Sequence, residues 1–188
     1  DGRKNGLWGT FLAGGWGNEW YFGYSHAHSD LTCQDFRSRD QWWDYCRYAL
    51  EFFQKADVPY WEMTNDNSKS SASGDYCFYK DGEAYIVYLK NGGTTNLDLN
   101  SVSGDFAVRW YDPRNGGTLV NGTVTQVTGG GSRSLGNAPN NTTSDWVVLV
   151  TASGTVTNQA PVVDAGPDQS IQLPNDMVDL DGTVTDDG

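Results

Sequence analysis

The chain has 188 residues, 24 acidic against 12 basic side chains, and a formal net charge of −12. That charge excludes electrostatic binding to DNA, RNA or an anionic membrane surface, and no apolar run is long enough to span a bilayer. Its 23 glycines, with many Thr, Ser, Asn and Asp, point to a β-rich, turn-rich protein and away from a helical bundle. It opens without Met or a signal peptide, and we read it as a piece of a larger polypeptide.

Residues 1–61 form a first zone, with 16 of the 25 aromatic side chains and six of the eight Trp. Its opening run, LWGTFLAGG (Leu7 to Gly15), reads as a short buried strand or a helix end that runs into a glycine turn. A loop rich in aromatic and polar residues follows from Trp16 to Asp30. Ser38 and Gln41 then make a Ser-x-x-Gln capping box. After it, Trp42, Tyr45, Cys46, Ala49, Leu50 and Phe53 repeat at three- and four-residue spacing, one apolar face of a helix ending near Lys55. One strand and one helix make no domain, so this zone needs a partner layer, expected from outside the chain.

Residues 62–157 are a second zone, built from alternating strands and turns. DYCFYK and EAYIVYLK flank Asp81-Gly82, a strong hairpin signal. Further strands follow: TTNLDLN, DFAVRWYD, TLV, TVTQV and DWVVLVTA. Seven or eight short strands at this spacing predict an antiparallel β-sandwich of roughly 90 residues. The stretch from Thr128 to Ser144 reads as a long polar loop. Residues 158–188 form a third zone with seven Asp and no Lys or Arg. It reads as a linker and two strands, too short to bury a core alone.

Three sets of residues together carry a family resemblance: FLAGGWGNEWYFGY, the capped helix region HSDLTCQDFRSRDQWWDYCRYALEFF, and VRWYDPRNGG. The chain resembles the C-terminal region of secreted bacterial glycoside-hydrolase-like proteins. In these a (β/α)8 barrel is followed by a small β-sandwich labelled a collagen-binding domain, whose signature WYDPRNGG (Trp110 to Gly117) resembles. APVVDAGPDQSIQL and VDLDGTVTDDG are similar to the opening of a PKD-type, immunoglobulin-like module. The resemblance implies a mainly β fold: the strand, loop and helix closing a barrel (1–61), an antiparallel β-sandwich (62–157), and a partial immunoglobulin-like domain (158–188). It also implies that the two catalytic carboxylates of a glycosidase lie upstream of Asp1. The chain alone is therefore expected not to be catalytic, and its partners are expected to be the remainder of the barrel and, through the parent enzyme, a polysaccharide. The setting is expected to be extracellular.

The resemblance puts Trp16, Glu19, Trp20, Tyr21 and His28 at the barrel mouth, where aromatic faces stack on sugars and carboxylates or imidazoles bond their hydroxyls. The competing reading makes these aromatics packing between barrel and sandwich. His26, His28 and Asp30 have the alternate spacing of some metal sites. They sit in a loop with no second cluster, so no metal is expected there. Asp112, Pro113 and Arg114 carry turn chemistry, since Pro fixes φ and ends a strand. We read them as a structural corner. Asp164, Asp168, Asp181, Asp186 and Asp187 supply oxygens of the kind Ca2+ takes, without EF-hand spacing. A solvated acidic surface is the first reading, and a structural calcium the second. No other cofactor is expected.

The three Cys read as small buried hydrophobes, with a Cys33–Cys46 bridge as the alternative in an oxidising compartment. Asn121, Asn140 and Asn141 open glycosylation sequons that carry little meaning in a bacterial protein. The main alternatives to an accessory region are an independent polysaccharide- or collagen-binding module and a spacer. A binding module requires an exposed row of aromatics on one sheet face. Tyr76, Phe78, Tyr85 and Tyr111 would have to point outward to make it.

Overall fold

The computed structural model describes residues 2–21, 36–154, 162–168, 170, 174 and 181–185. The chain divides into two compact units, Asp1–Ser153 and Gly154–Gly188. The first unit opens with a π-helical stretch, Gly2–Trp8, that tightens into helix α1 (Gly9–Leu12). The run expected as a strand or helix end is thus helical, and it buries Leu7, Trp8 and Leu12. Leu7, Trp8 and Leu12 fall on one side of a helix, whereas a strand would send Leu7 and Trp8 to opposite faces.

Helix α2 spans Asp40–Ala56. The predicted capping box does not form its start. A 3-10 turn, Phe36–Arg39, contains Ser38, and Arg39 takes the cap position without capping the helix by its side chain. Asp57 ends the helix at φ 47°, in the left-handed region. The buried stripe is Ala49, Phe52 and Ala56. Leu50, expected on that stripe, is 56% exposed.

The sheet is antiparallel throughout. Six strands lie in the order β1-β2-β3-β8-β5-β6. They are β1 (Thr64–Asn65), β2 (Tyr76–Lys80), β3 (Ala84–Leu89), β5 (Asp105–Tyr111), β6 (Gln126–Thr128) and β8 (Trp146–Ala152). Two short strands, β4 (Asn96–Asp98) and β7 (Ser132–Ser134), pair separately. The stretch expected as a long polar loop holds β7 and the buried Leu135.

The predicted β2–β3 hairpin forms, with Lys80 opposite Ala84 and Gly82 at φ 77°. Asp81 stitches it down by accepting from Tyr85 Oη at 2.8 Å and Ser101 Oγ at 2.7 Å.

Both faces of the large sheet are covered. Every residue of β3 is buried. Ala84, Ile86 and Tyr88 face one core with Val147 and Leu149, while Tyr85, Val87 and Leu89 face another with Val148 and Val150. This explains why AYIVYL reads as a continuous apolar run instead of an alternating one. The first core is closed by the helices, through Trp8, Leu12, Ala49 and Phe52. The second is closed by β4, β7 and their loops, through Leu97, Leu99 and Leu135. The partner layer that the first zone requires is thus the sheet of the same chain.

In the second unit, β9 (Val162–Asp164) pairs antiparallel with β10 (Thr183–Thr185), and both strands are exposed.

Candidate functional site

Of the sequence-predicted site residues, Trp16, Glu19, Trp20 and Tyr21 lie among the described residues. Trp16 and Tyr21 stand 79% and 66% exposed, and Glu19 is exposed. Trp20 is half-buried against the helix core, its ring edge-on to Trp42 at 4.5 Å. His28, with His26, Asp30 and Cys33, lies outside the described residues. Trp16 meets Tyr60 edge-on at 5.8 Å, and Tyr60 meets Trp61 at 5.2 Å. Beside them a cleft of about 280 Å³ is lined by Phe11, Trp16, Leu50, Phe53, Tyr60 and Phe78. Tyr60 and Trp61 gave no sequence signal beyond being aromatic.

The sheet offers no aromatic binding row among the described residues. Phe78, Tyr85 and Tyr111 are buried, and Tyr76 is half-buried beneath Lys90. Phe78, Tyr111 and Tyr76 belong to the seam between sheet and helices, whereas Tyr85 faces the second core. Tyr88 is stacked between Trp8 at 5.5 Å and Tyr76 at 6.2 Å. Phe52 packs on both Trp8 and Tyr111, at 5.5 and 5.2 Å.

A charged clamp closes one end of this seam. Arg3 donates to both carboxylate oxygens of Asp145, at 2.8 and 3.2 Å, and Tyr88 Oη donates to Asp145 Oδ2 at 2.6 Å. Arg3 also lies 4.7 Å over the Tyr45 ring. Burial opposes the charge on Arg3, and Asp145 more than restores it, so the guanidinium holds its proton above its ordinary range. Burial, then the Asp145 hydrogen bond, raises the Tyr88 phenol. Asp145 is 2% exposed. Such a pair is favourable only when its remaining hydrogen-bonding groups are satisfied, and Tyr88 supplies that partner.

The corner at Asp112 lies at the same strand end, since Tyr111 and Tyr88 both pair with Val147. Asp112 Oδ1 accepts from the Arg114 backbone at 2.9 Å and from Arg114 Nε at 2.7 Å. Its Oδ2 accepts from Arg114 Nη2 and Asn115 Nδ2. Burial works against the Asp112 carboxylate, but these donors hold its pKa below the ordinary value. Arg114 then covers the Trp146 ring at 5.1 Å. The corner also grips α2: Tyr111 Oη donates to Tyr48 O at 2.7 Å and Lys55 Nζ to Gly117 O at 2.8 Å. Gly116, at φ 69°, lies so close to Tyr48 that a Cβ there would strike the ring.

Cys46 and Cys77 are free thiols. Burial pushes the Cys77 thiol up to about 12 and raises that of Cys46. No three His, Cys, Asp or Glu side chains converge among the described residues. In the acidic tail, Asp164 accepts from the Gly166 backbone at 2.9 Å, while Asp186 and Asp187 lie outside the described residues.

This mainly β, antiparallel arrangement is a fold found within glycoside hydrolase chains. A solved structure titled a glycoside hydrolase superposes with a TM-score of 0.60 at 15% identity, over 82% of this chain and 37% of that one. A glycoside hydrolase family 5 protein from Bacteroides vulgatus ATCC 8482 gives 0.57 at 18% identity, over the same shares. The chain therefore spans little more than a third of the length of the structures it matches. Its residues 58–151, half of the sequence, match the family described as "Putative collagen-binding domain of a collagenase", and the chain belongs to that family. No curated protein matches it.

Proposed function

We propose that the chain is the C-terminal accessory region of a secreted, polysaccharide-degrading glycoside hydrolase. In this reading its sheet braces the catalytic barrel, the helices of residues 1–61 close that barrel, and residues 158–188 open a PKD-type module. The catalytic carboxylates lie upstream, and the chain alone does not cleave glycans. One observation carries the reading: among the described residues the large sheet has no free face, because Trp8 and Phe52 of the helical zone seal one side against Tyr88 and Tyr111. A sheet covered on both faces leaves no flat face for a polymer, which favours the accessory reading over a binding module. The superposition on glycoside hydrolases, which includes most of this chain, supports the same assignment.

The test is made on the full-length product of the gene. It should hydrolyse a polysaccharide, and Phe52→Ala should cost about 3–5 kcal/mol of stability at the seam. Hydrolysis by the variant should then be lost at a lower temperature than in the wild type. A full-length protein inert on a broad polysaccharide panel defeats the proposal. So does a variant whose sheet melts early while hydrolysis survives to the wild-type temperature.

The family description favours a second reading, collagen binding by the sheet unit itself. Co-sedimentation with insoluble collagen and with insoluble polysaccharides separates the two. Retention on collagen by the isolated chain supports the second reading.

A further inference from the structure

A surface helix that covers one layer needs one apolar stripe. Helix α2 has two. Ala49, Phe52 and Ala56 cover the sheet, while Leu50 and Phe53 turn toward the cleft beside Trp16. Leu50, Trp16 and Trp61 are 56%, 79% and 61% exposed, and Tyr60 joins the two indoles edge to edge. The cleft floor is continuous with the core: Phe53 packs on Phe11 at 5.8 Å and on Trp8 at 6.4 Å. A contiguous aromatic and aliphatic surface of this kind marks an interaction site.

We propose that this face, Leu50 with Trp16, Tyr60 and Trp61, docks the remainder of the chain's own longer polypeptide. The inference rests on the accessory reading above and names the partner and the seam. Two observations select this occupant. The fold that includes α2 superposes on glycoside hydrolases of which more than half the chain lies outside the match. A second copy is disfavoured, because each chain carries a net charge of −12 and self-association would bring like charge together.

The test compares this chain with the full-length gene product. Hydroxyl-radical footprinting of the wild-type proteins should oxidise Trp16 and Trp61 several-fold more slowly in the full-length protein. Leu50→Glu should leave the Tm of this chain unchanged and lower that of the full-length protein by about 4 °C, since only there is the side chain buried. Equal oxidation in the two proteins overturns the proposal even if the full-length protein cleaves glycans, and leaves the accessory reading standing. Slowed oxidation in a protein that cleaves no glycan does the reverse. A full-length product no longer than this chain overturns the docking seam. So does a dimer of this chain, seen by sedimentation, that Leu50→Glu splits.

Discussion

Asp75 sits with Ser70 and Thr95 in a buried polar cluster, Ser70 Oγ lying 3.1 Å from its Oδ2 and 2.7 Å from Thr95 Oγ1. Burial pushes its carboxyl up to about 6, against hydrogen bonds that pull it down. The folded chain thus holds this proton more tightly than the unfolded chain, where the group titrates near 3.8. The stability it adds is complete below that value and is lost as pH rises through about 6. Urea midpoints should show Asp75→Asn gaining on the wild type between about pH 4 and about pH 7, then running parallel. A gap that stays constant across that window counts against a raised pKa. The Arg3–Asp145 clamp makes a larger prediction. Arg3→Met leaves a buried carboxylate without its cation and should cost about 3–5 kcal/mol by urea denaturation. Tyr88→Phe should cost about 1.5–3 kcal/mol, the usual worth of a hydrogen bond to a charged group. Neither the cluster nor the clamp was legible beforehand. Arg3 and Asp145 are 142 residues apart, and no local pattern links them.

Elements whose rules are local were legible, and those whose faces depend on a partner were not. Asp81-Gly82 specifies its own hairpin, because Gly82 takes a positive φ at no steric cost. The turn residues after Tyr111 are likewise readable, since Asp112 bonds its own backbone two residues on. Helix α2 was legible as a helix, but its buried stripe was not. Apolar residues on two sides of the helix satisfy the same spacing, and only the sheet selects Phe52 over Leu50. The Leu7–Gly15 run was ambiguous for a similar reason, since a short apolar stretch lacks the length to separate strand from helix. The corner makes a prediction at this scale. Gly116→Ala should cost about 1–3 kcal/mol from backbone strain alone, and more as Tyr48 is pushed from its place. Thermal unfolding checks it, and a variant as stable as the wild type would show that α2 does not depend on the corner. Asp112 adds a pH signature of opposite sign to that of Asp75. Its depressed pKa contributes stability above the unfolded value of 3.8, lost as pH falls through the folded value.

For the molecule as a whole, the family match begins at residue 58, after both helices. Yet those helices bury Ile86, Tyr88, Tyr111, Val147 and Leu149. A fragment of residues 58–153 should therefore aggregate or bind a hydrophobic dye, whereas a fragment of residues 2–153 should melt as the full chain does. A soluble, cooperatively melting 58–153 fragment would show that the helical layer is dispensable. Composition revealed three zones, but not that the first is sealed onto the second, because that depends on shape matching between distant rings such as Trp8 and Tyr88. The strand order has a further consequence. Strand β8 is the last of its sheet to be synthesised, and it lies in the middle, between β3 and β5. On the ribosome, the β1–β3 and β5–β6 ribbons emerge as two half-sheets, each with an open edge. They cannot join until Ala152 has left the exit tunnel, several seconds after Leu89 at about 5–20 residues per second. Until then the nascent chain presents two unpaired edges to its neighbours, so slow translation before Trp146 would lengthen the period in which polysomes of this message are prone to tangle.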